Sequence, residues 1–138
     1  MGLVMPSIYV NQFRGFSRTI IPLRLVNFLV GENSTGKSSI LALVNLLSSP
    51  LFWFSQDFNL PEYEFGGYRD ILSAKANPER GFSFGISSLV VHPKSGREHN
   101  CTFLFSYKEG LENSLPEPCF VGRLIDNKLL VIKSVGKN

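Results

Sequence analysis

The string Gly31-Glu32-Asn33-Ser34-Thr35-Gly36-Lys37-Ser38 constrains this chain more than any other stretch. It satisfies G-x-x-x-x-G-K-[ST] at every fixed position, and its flanks carry the pattern further. Leu25–Val30 is an apolar run broken only by Asn27, which reads as a buried strand. From Lys37 to about Ser48 the spacing turns helical, with Ile40, Leu43, Val44 and Leu47 on one face. Strand, glycine-rich loop and helix in that order form a phosphate cradle. The glycines admit backbone conformations closed to other residues, and successive N–H groups point inward as an anion nest. The helix start adds partial positive charge at the same place. Gly31, Asn33, Ser34, Thr35, Gly36, Lys37, Ser38 and Ser39 are therefore the candidate nucleotide-binding residues. Lys37 is suited to the β- and γ-phosphates, Ser38 to Mg²⁺ and Ser39 to a further phosphate contact.

The remainder of the chain limits what such a loop can do. P-loop hydrolysis requires an acid at the end of a second apolar strand. No run of four apolar residues followed by Asp exists, and Asp126 follows only Leu124-Ile125. Asp126 is read as a turn residue, and no catalytic residue is assigned. Asn127-Lys128 begins like the guanine-reading N-K-x-D, but Leu130 stands where the Asp is required. A complete small GTPase or kinase is thereby disfavoured.

Length and composition agree with one domain or less. The 138 residues are 43% hydrophobic and 12% aromatic, enough for a packed core, yet only 18% are charged. That low fraction fits either a surface covered by a partner or a chain that is part of something larger. A net charge of +3 without a run of basic residues does not make a nucleic-acid patch. Cys101 and Cys119 lack ligand-like spacing and, with His92 and His99 scattered, do not suggest zinc. They read as reduced thiols in a cytoplasmic protein. Ser38–Gln56 is uncharged, but its five serines, Asn45 and Pro50 suit a buried helix better than a span of about 20 apolar residues. No membrane partner is expected.

Several further elements are predicted. Residues 7–13 alternate as a strand, and Ile20-Ile21-Pro22 suits a short edge strand, because proline cannot donate to a central ladder. Pro50 ends the helix. Residues 51–68, rich in aromatics and interrupted by Pro61, Gly66, Gly67 and acids, read as irregular, with their aromatics packed over the helix. Phe82, Phe84 and Ile86 alternate, as do Cys101, Phe103, Phe105 and Tyr107, and the two runs form a hairpin around residues 92–100. Cys119–Ile125 and Lys128–Lys133 flank a two-residue turn, Asp126-Asn127. Arg14 and Arg18 read as surface arginines.

Three segments resemble a known family. Ile-Tyr-Val-Asn-Gln-Phe-Arg-Gly-Phe (8–16) is similar to the opening strand of ATPases related to RecF and to structural-maintenance-of-chromosomes heads. Asn27-Phe28-Leu29-Val30-Gly31-Glu32-Asn33-Ser34-Thr35-Gly36-Lys37-Ser38-Ser39 is similar to their strand and Walker A loop, with Asn33 and the Ser38-Ser39 pair matching. Phe65–Leu72 with Phe82–Ile86 resembles a stretch of uncharacterised AAA-type members. The resemblance implies an ABC-type head that binds ATP and Mg²⁺ and pairs head to tail, in proteins acting on DNA or in phage defence. The chain departs from the family in having no Leu-Ser-Gly-Gly-like signature, no Walker B Asp-Glu and no switch histidine.

The expected fold is thus α/β, the N-terminal lobe of a P-loop NTPase. It comprises a mixed sheet with a Walker A helix and an antiparallel β-meander, a partial ABC-type head. Residues 1–50 hold strands, loop and helix, 51–80 an irregular aromatic insertion, and 81–138 antiparallel strands. The expected role is ATP binding with little hydrolysis. The partners are a missing C-terminal lobe or a second ATPase subunit, and DNA through the full-length protein. The alternative is a nucleotide-independent interaction module with a relic P-loop.

Overall fold

A computed structural model describes residues 5–33 and 36–134. The first strand, β1 (Ser7–Asn11), buries Ile8 and Val10 on one face. Phe13 and Phe16 exchange backbone hydrogen bonds of 3.1 and 2.9 Å, turning the chain into β2 (Thr19–Pro22). Helix α1 (Lys37–Ser48) follows the glycine-rich loop, and α2 (Pro50–Ser55) follows α1 after a single residue. A small hairpin, β3 (Asn59–Leu60) and β4 (Tyr63–Glu64), leads to the single turn α3 (Tyr68–Ile71). Four long strands complete the order: β5 (Phe82–Val91), β6 (Glu98–Glu109), β7 (Pro116–Ile125) and β8 (Lys128–Ser134).

The main sheet runs β2-β1-β5-β6-β7-β8, with every described pairing antiparallel. Alternation in the sequence becomes a row across it. Val10 stands opposite Phe84, Phe84 opposite Phe105, and Phe105 opposite Val121, and all four are buried. The helices cover this face. Leu43, Leu46 and Leu47 of α1 join the same core, and the Phe52 ring of α2 lies 5.9 Å from Phe84 and 5.7 Å from Phe105. Buried rings of this size bring large apolar area together, and their edge-on and offset geometries add to it. The hairpin over 82–107 and the Asp126-Asn127 turn form as expected, both turn residues having positive φ (45° and 68°). Pro22 lies in an edge strand, as its missing N–H requires.

Four expectations need correction. Leu25–Val30 is not a strand and is not buried. Leu25, Phe28 and Val30 are 106%, 86% and 90% exposed, and the segment pairs with no strand among the described residues. An apolar run becomes a buried strand only when neighbours supply both a hydrogen-bonding edge and two covered faces. Here residues 25–30 join neither open edge of the sheet, β2 or β8, and their faces stay exposed. With that strand absent from the sheet, the sheet is antiparallel rather than mixed. Helix α1 is also less enclosed than expected, since Leu41 is more than half exposed.

The third correction concerns residues 51–68, which are more regular than composition suggested. Pro50 ends α1 but starts α2, occupying a first-turn position where its missing N–H costs nothing. The aromatic packing itself matches expectation. Phe52, Phe58, Phe65 and Tyr68 are buried, and Phe58 lies edge-on to Tyr107 at 4.8 Å. Trp53 donates its indole N–H to the Leu47 carbonyl at 2.8 Å, tying α2 to the end of α1. The fourth correction, Arg14, belongs to the site below.

Candidate functional site

The glycine-rich loop enters α1 through Gly36, whose φ of 95° lies in the left-handed region. A Cβ there would stand 2.7 Å from Cε2 and Cζ of Phe16. Glycine is thus required twice, for the backbone angle and for the ring against it. Gly36 has no side chain to cap the helix, and no acid occupies the first turn. The N-cap thus gives the amides that begin α1 no side-chain hydrogen bond, and the first turn brings no acid to the partial positive charge of the helix start. Lys37 turns its ammonium back onto the loop, donating to the Gly31 carbonyl at 2.7 Å and to the Glu32 carbonyl.

The remaining expected residues occupy distinct places. Gly31, with φ of 154°, and Asn33 are exposed on the loop, and the Ser38 hydroxyl is exposed beside Lys37. Ser39 points inward and is only 8% exposed. Ser34 and Thr35 lie outside the described residues. Asp126 lies in the β7–β8 turn. There it accepts from His99 Nδ1 at 2.5 Å and from the Asn100 N–H at 3.1 Å. The hydrogen bond from His99, followed by the one from Asn100, holds its carboxyl below the usual aspartate range. These contacts account for Asp126 as a turn residue.

Arg14 is where reading the sequence alone missed a contact. It is half-buried rather than a surface arginine. Its Nη1 donates to Tyr63 Oη at 3.2 Å and reaches Ser39 Oγ at 3.5 Å, while the guanidinium carbon sits 5.1 Å from the Phe65 ring centroid. Arg14 has φ of 46° and donates its N–H to the Ile71 carbonyl at 2.7 Å, so its backbone is tied to α3. In the sequence Arg14 stands before Gly15 and between Phe13 and Phe16, which does not say where the side chain goes.

Chemically, the loop and helix start offer an ammonium, hydroxyls and backbone donors in one place, a set suited to an anion rather than to a bare cation. Among the described residues no group of three or more His, Cys, Asp or Glu is arranged to hold a metal ion. None of their helices is long and apolar enough to cross a membrane.

These features define an α/β domain in which one helix leads out of a glycine-rich loop and packs on an antiparallel sheet. The profile of the AAA ATPase domain family matches residues 5–104, and the chain belongs to that family. Membership carries with it an ATP-binding, ATPase-like character. The chain is also 36% identical over 69 residues to YbjD, an uncharacterized protein of Escherichia coli (strain K12). That similarity covers 47% of this chain but 12% of YbjD, so the chain spans a small part of that relative. No solved structure matches it.

Proposed function

We propose that Gly31–Ser39 is a Walker A loop that binds ATP together with Mg²⁺, in the N-terminal lobe of a RecF-like, ABC-type ATPase. The observation that carries this reading is the start of α1. Its N-cap, Gly36, offers no side chain, its first turn holds no acid, and Lys37 is folded over the loop carbonyls where a phosphate would give it a stronger, charged partner. Gly31, Asn33, Ser34, Thr35 and Gly36 supply the loop, with Lys37 for the outer phosphates and Ser39 at the inner edge. The exposed Ser38 hydroxyl fits Mg²⁺ only as one ligand among phosphate oxygens and waters, since no acidic cluster accompanies it. Bound there, Mg²⁺ would neutralise phosphate charge. Hydrolysis by these residues alone should be slight, because the sequence has no run of four apolar residues followed by the Asp that P-loop hydrolysis requires.

The resemblance of Ile8–Phe16 and Asn27–Ser39 to RecF and structural-maintenance heads supports a cytoplasmic role in DNA metabolism or phage defence. In that role a further lobe or second ATPase subunit joins this one. The exposed Leu25–Val30 segment supports the need for such a partner, because contiguous apolar surface of this kind marks an interaction site. The same segment also favours the second reading, an interaction module whose loop is a relic.

Titration calorimetry with ATP·Mg²⁺ tests the choice. Binding that Lys37→Ala abolishes is expected. No heat at millimolar nucleotide, with a melting temperature indifferent to ATP, would favour the relic loop.

A further inference from the structure

We propose that Arg14 couples the phosphate loop to the β3–β4 hairpin, so that nucleotide at the loop orders the hairpin. The inference rests on the nucleotide reading above and adds to it the element that responds. The Arg14 guanidinium lies between two structures that touch through it. On one side is Ser39 Oγ, in the first turn of α1. On the other are Tyr63 Oη and the face of Phe65, carried by β4 and the residue after it. Leu60 and the flanking Phe58 and Phe65 anchor the hairpin in the core, but Tyr63 is only partly buried and the strands are short. The hairpin has two residues per strand and is closed by Asn59, whose side chain bonds the Gly66 N–H at 3.0 Å and the Gly66 carbonyl at 3.3 Å.

The Arg14 contacts are unsaturated as they stand. Its reach to Ser39 is at the long limit of a hydrogen bond, and its Nε is buried without a partner. A buried donor in that state is costly, so the guanidinium gains from any shift that improves its acceptors. Phosphate at the loop provides one. A Ser39 hydroxyl donating to phosphate turns its lone pairs toward Arg14, and polarised hydrogen bonds in series strengthen one another. Negative charge beyond Ser39 draws the guanidinium the same way. The Arg14 backbone is pinned to Ile71, so the tightening falls on the side chain and, through Tyr63, on the hairpin. Arg14 is thus a positioning residue, acting through Ser39.

Hydrogen–deuterium exchange over residues 57–67, with and without ATP·Mg²⁺, tests this, with affinity measured in parallel by calorimetry. In the wild-type chain ATP should slow exchange there. Tyr63→Phe keeps the ring on Phe65 and removes the acceptor. It should bind ATP about two- to ten-fold more weakly, the scale of one hydrogen bond and of reciprocal coupling, with the ATP-dependent protection lost. Arg14→Lys keeps the charge without the planar fork and should behave alike. A wild-type chain that binds ATP without changing exchange at the hairpin overturns the coupling but leaves the nucleotide site standing. Protection undiminished in Tyr63→Phe also overturns it. No ATP binding at all overturns the nucleotide reading, and the coupling with it.

Discussion

Replacing Gly36 by alanine tests the geometry of the loop without any ligand. Two costs follow from the structure. The left-handed backbone at φ 95° disfavours any residue with a Cβ by about 1–2 kcal/mol. The new methyl also meets the Phe16 ring at 2.7 Å, whereas ordinary contact begins at 3.4 Å, so the ring must retreat by about 0.7 Å. Backbone bonds to Phe13 hold Phe16 in place, which leaves only side-chain torsion to absorb the shift, at about 0.5–1.5 kcal/mol. The sum is about 1.5–3.5 kcal/mol. For a urea slope of about 1–3 kcal/mol per molar, the unfolding midpoint should fall by roughly 1 M. Introducing Phe16→Leu alongside should recover the steric part and leave the backbone part, a non-additivity that a double-mutant cycle resolves. A loss below about 0.5 kcal/mol for Gly36→Ala would refute both the angle and the ring contact.

Other expectations follow from contacts described above or adjoining them. The Asp126 carboxyl, held down by His99, should titrate below the ordinary aspartate value in the folded chain. Its small stabilising effect is present above that value and is lost as pH falls through the folded pKa. An NMR titration should show the midpoint move up toward the ordinary value in His99→Gln. Tyr107 is buried and donates to Gln56 Oε1, and desolvation pushes its phenol far above the usual tyrosine range. It should stay protonated under alkaline conditions until the chain unfolds, which ultraviolet difference spectra would follow. Tyr107→Phe should cost about 1 kcal/mol in urea unfolding. Phe52→Ala, which empties the contact between α2 and the sheet, should cost about 3–5 kcal/mol by the same assay. Phe28→Ser should leave the urea midpoint nearly unchanged, because Phe28 is exposed.

Much of this fold was readable in the residues because local rules and packing agree there. The alternation of Phe82-Phe84-Ile86 with Phe103-Phe105-Tyr107 fixed both the strands and their buried face. Asp126-Asn127 fixed a turn, and the apolar spacing after Lys37 fixed a helix whose bounds match. The failures share a cause. Leu25–Val30 has the pattern of a buried strand, but burial depends on what stands beside it, and periodicity carries no such information. Residues 51–68 hid a short helix because Pro50 stops one helix and opens the next. At the candidate site the loop residues could be named from spacing alone. Arg14 could not, because its partners Ser39 and Tyr63 are brought to it only by the docking of α1 and the β3–β4 hairpin.

The pairing of β1 with β5 has a kinetic consequence. Strands β5 to β8 follow one another through short turns and can zip as successive hairpins. Joining β1 to them brings Val10 against Phe84, closing a loop that contains the whole glycine-rich segment, α1 and the aromatic rings. The entropy of that closure comes before the contacts that reward it, so this step should be slow compared with hairpin formation. Until it is complete, Phe16 has no fixed position from which to reach Gly36. The anion cradle should therefore be among the last parts of the molecule to mature. A ligand that binds it would act on a chain whose long-range topology is already set.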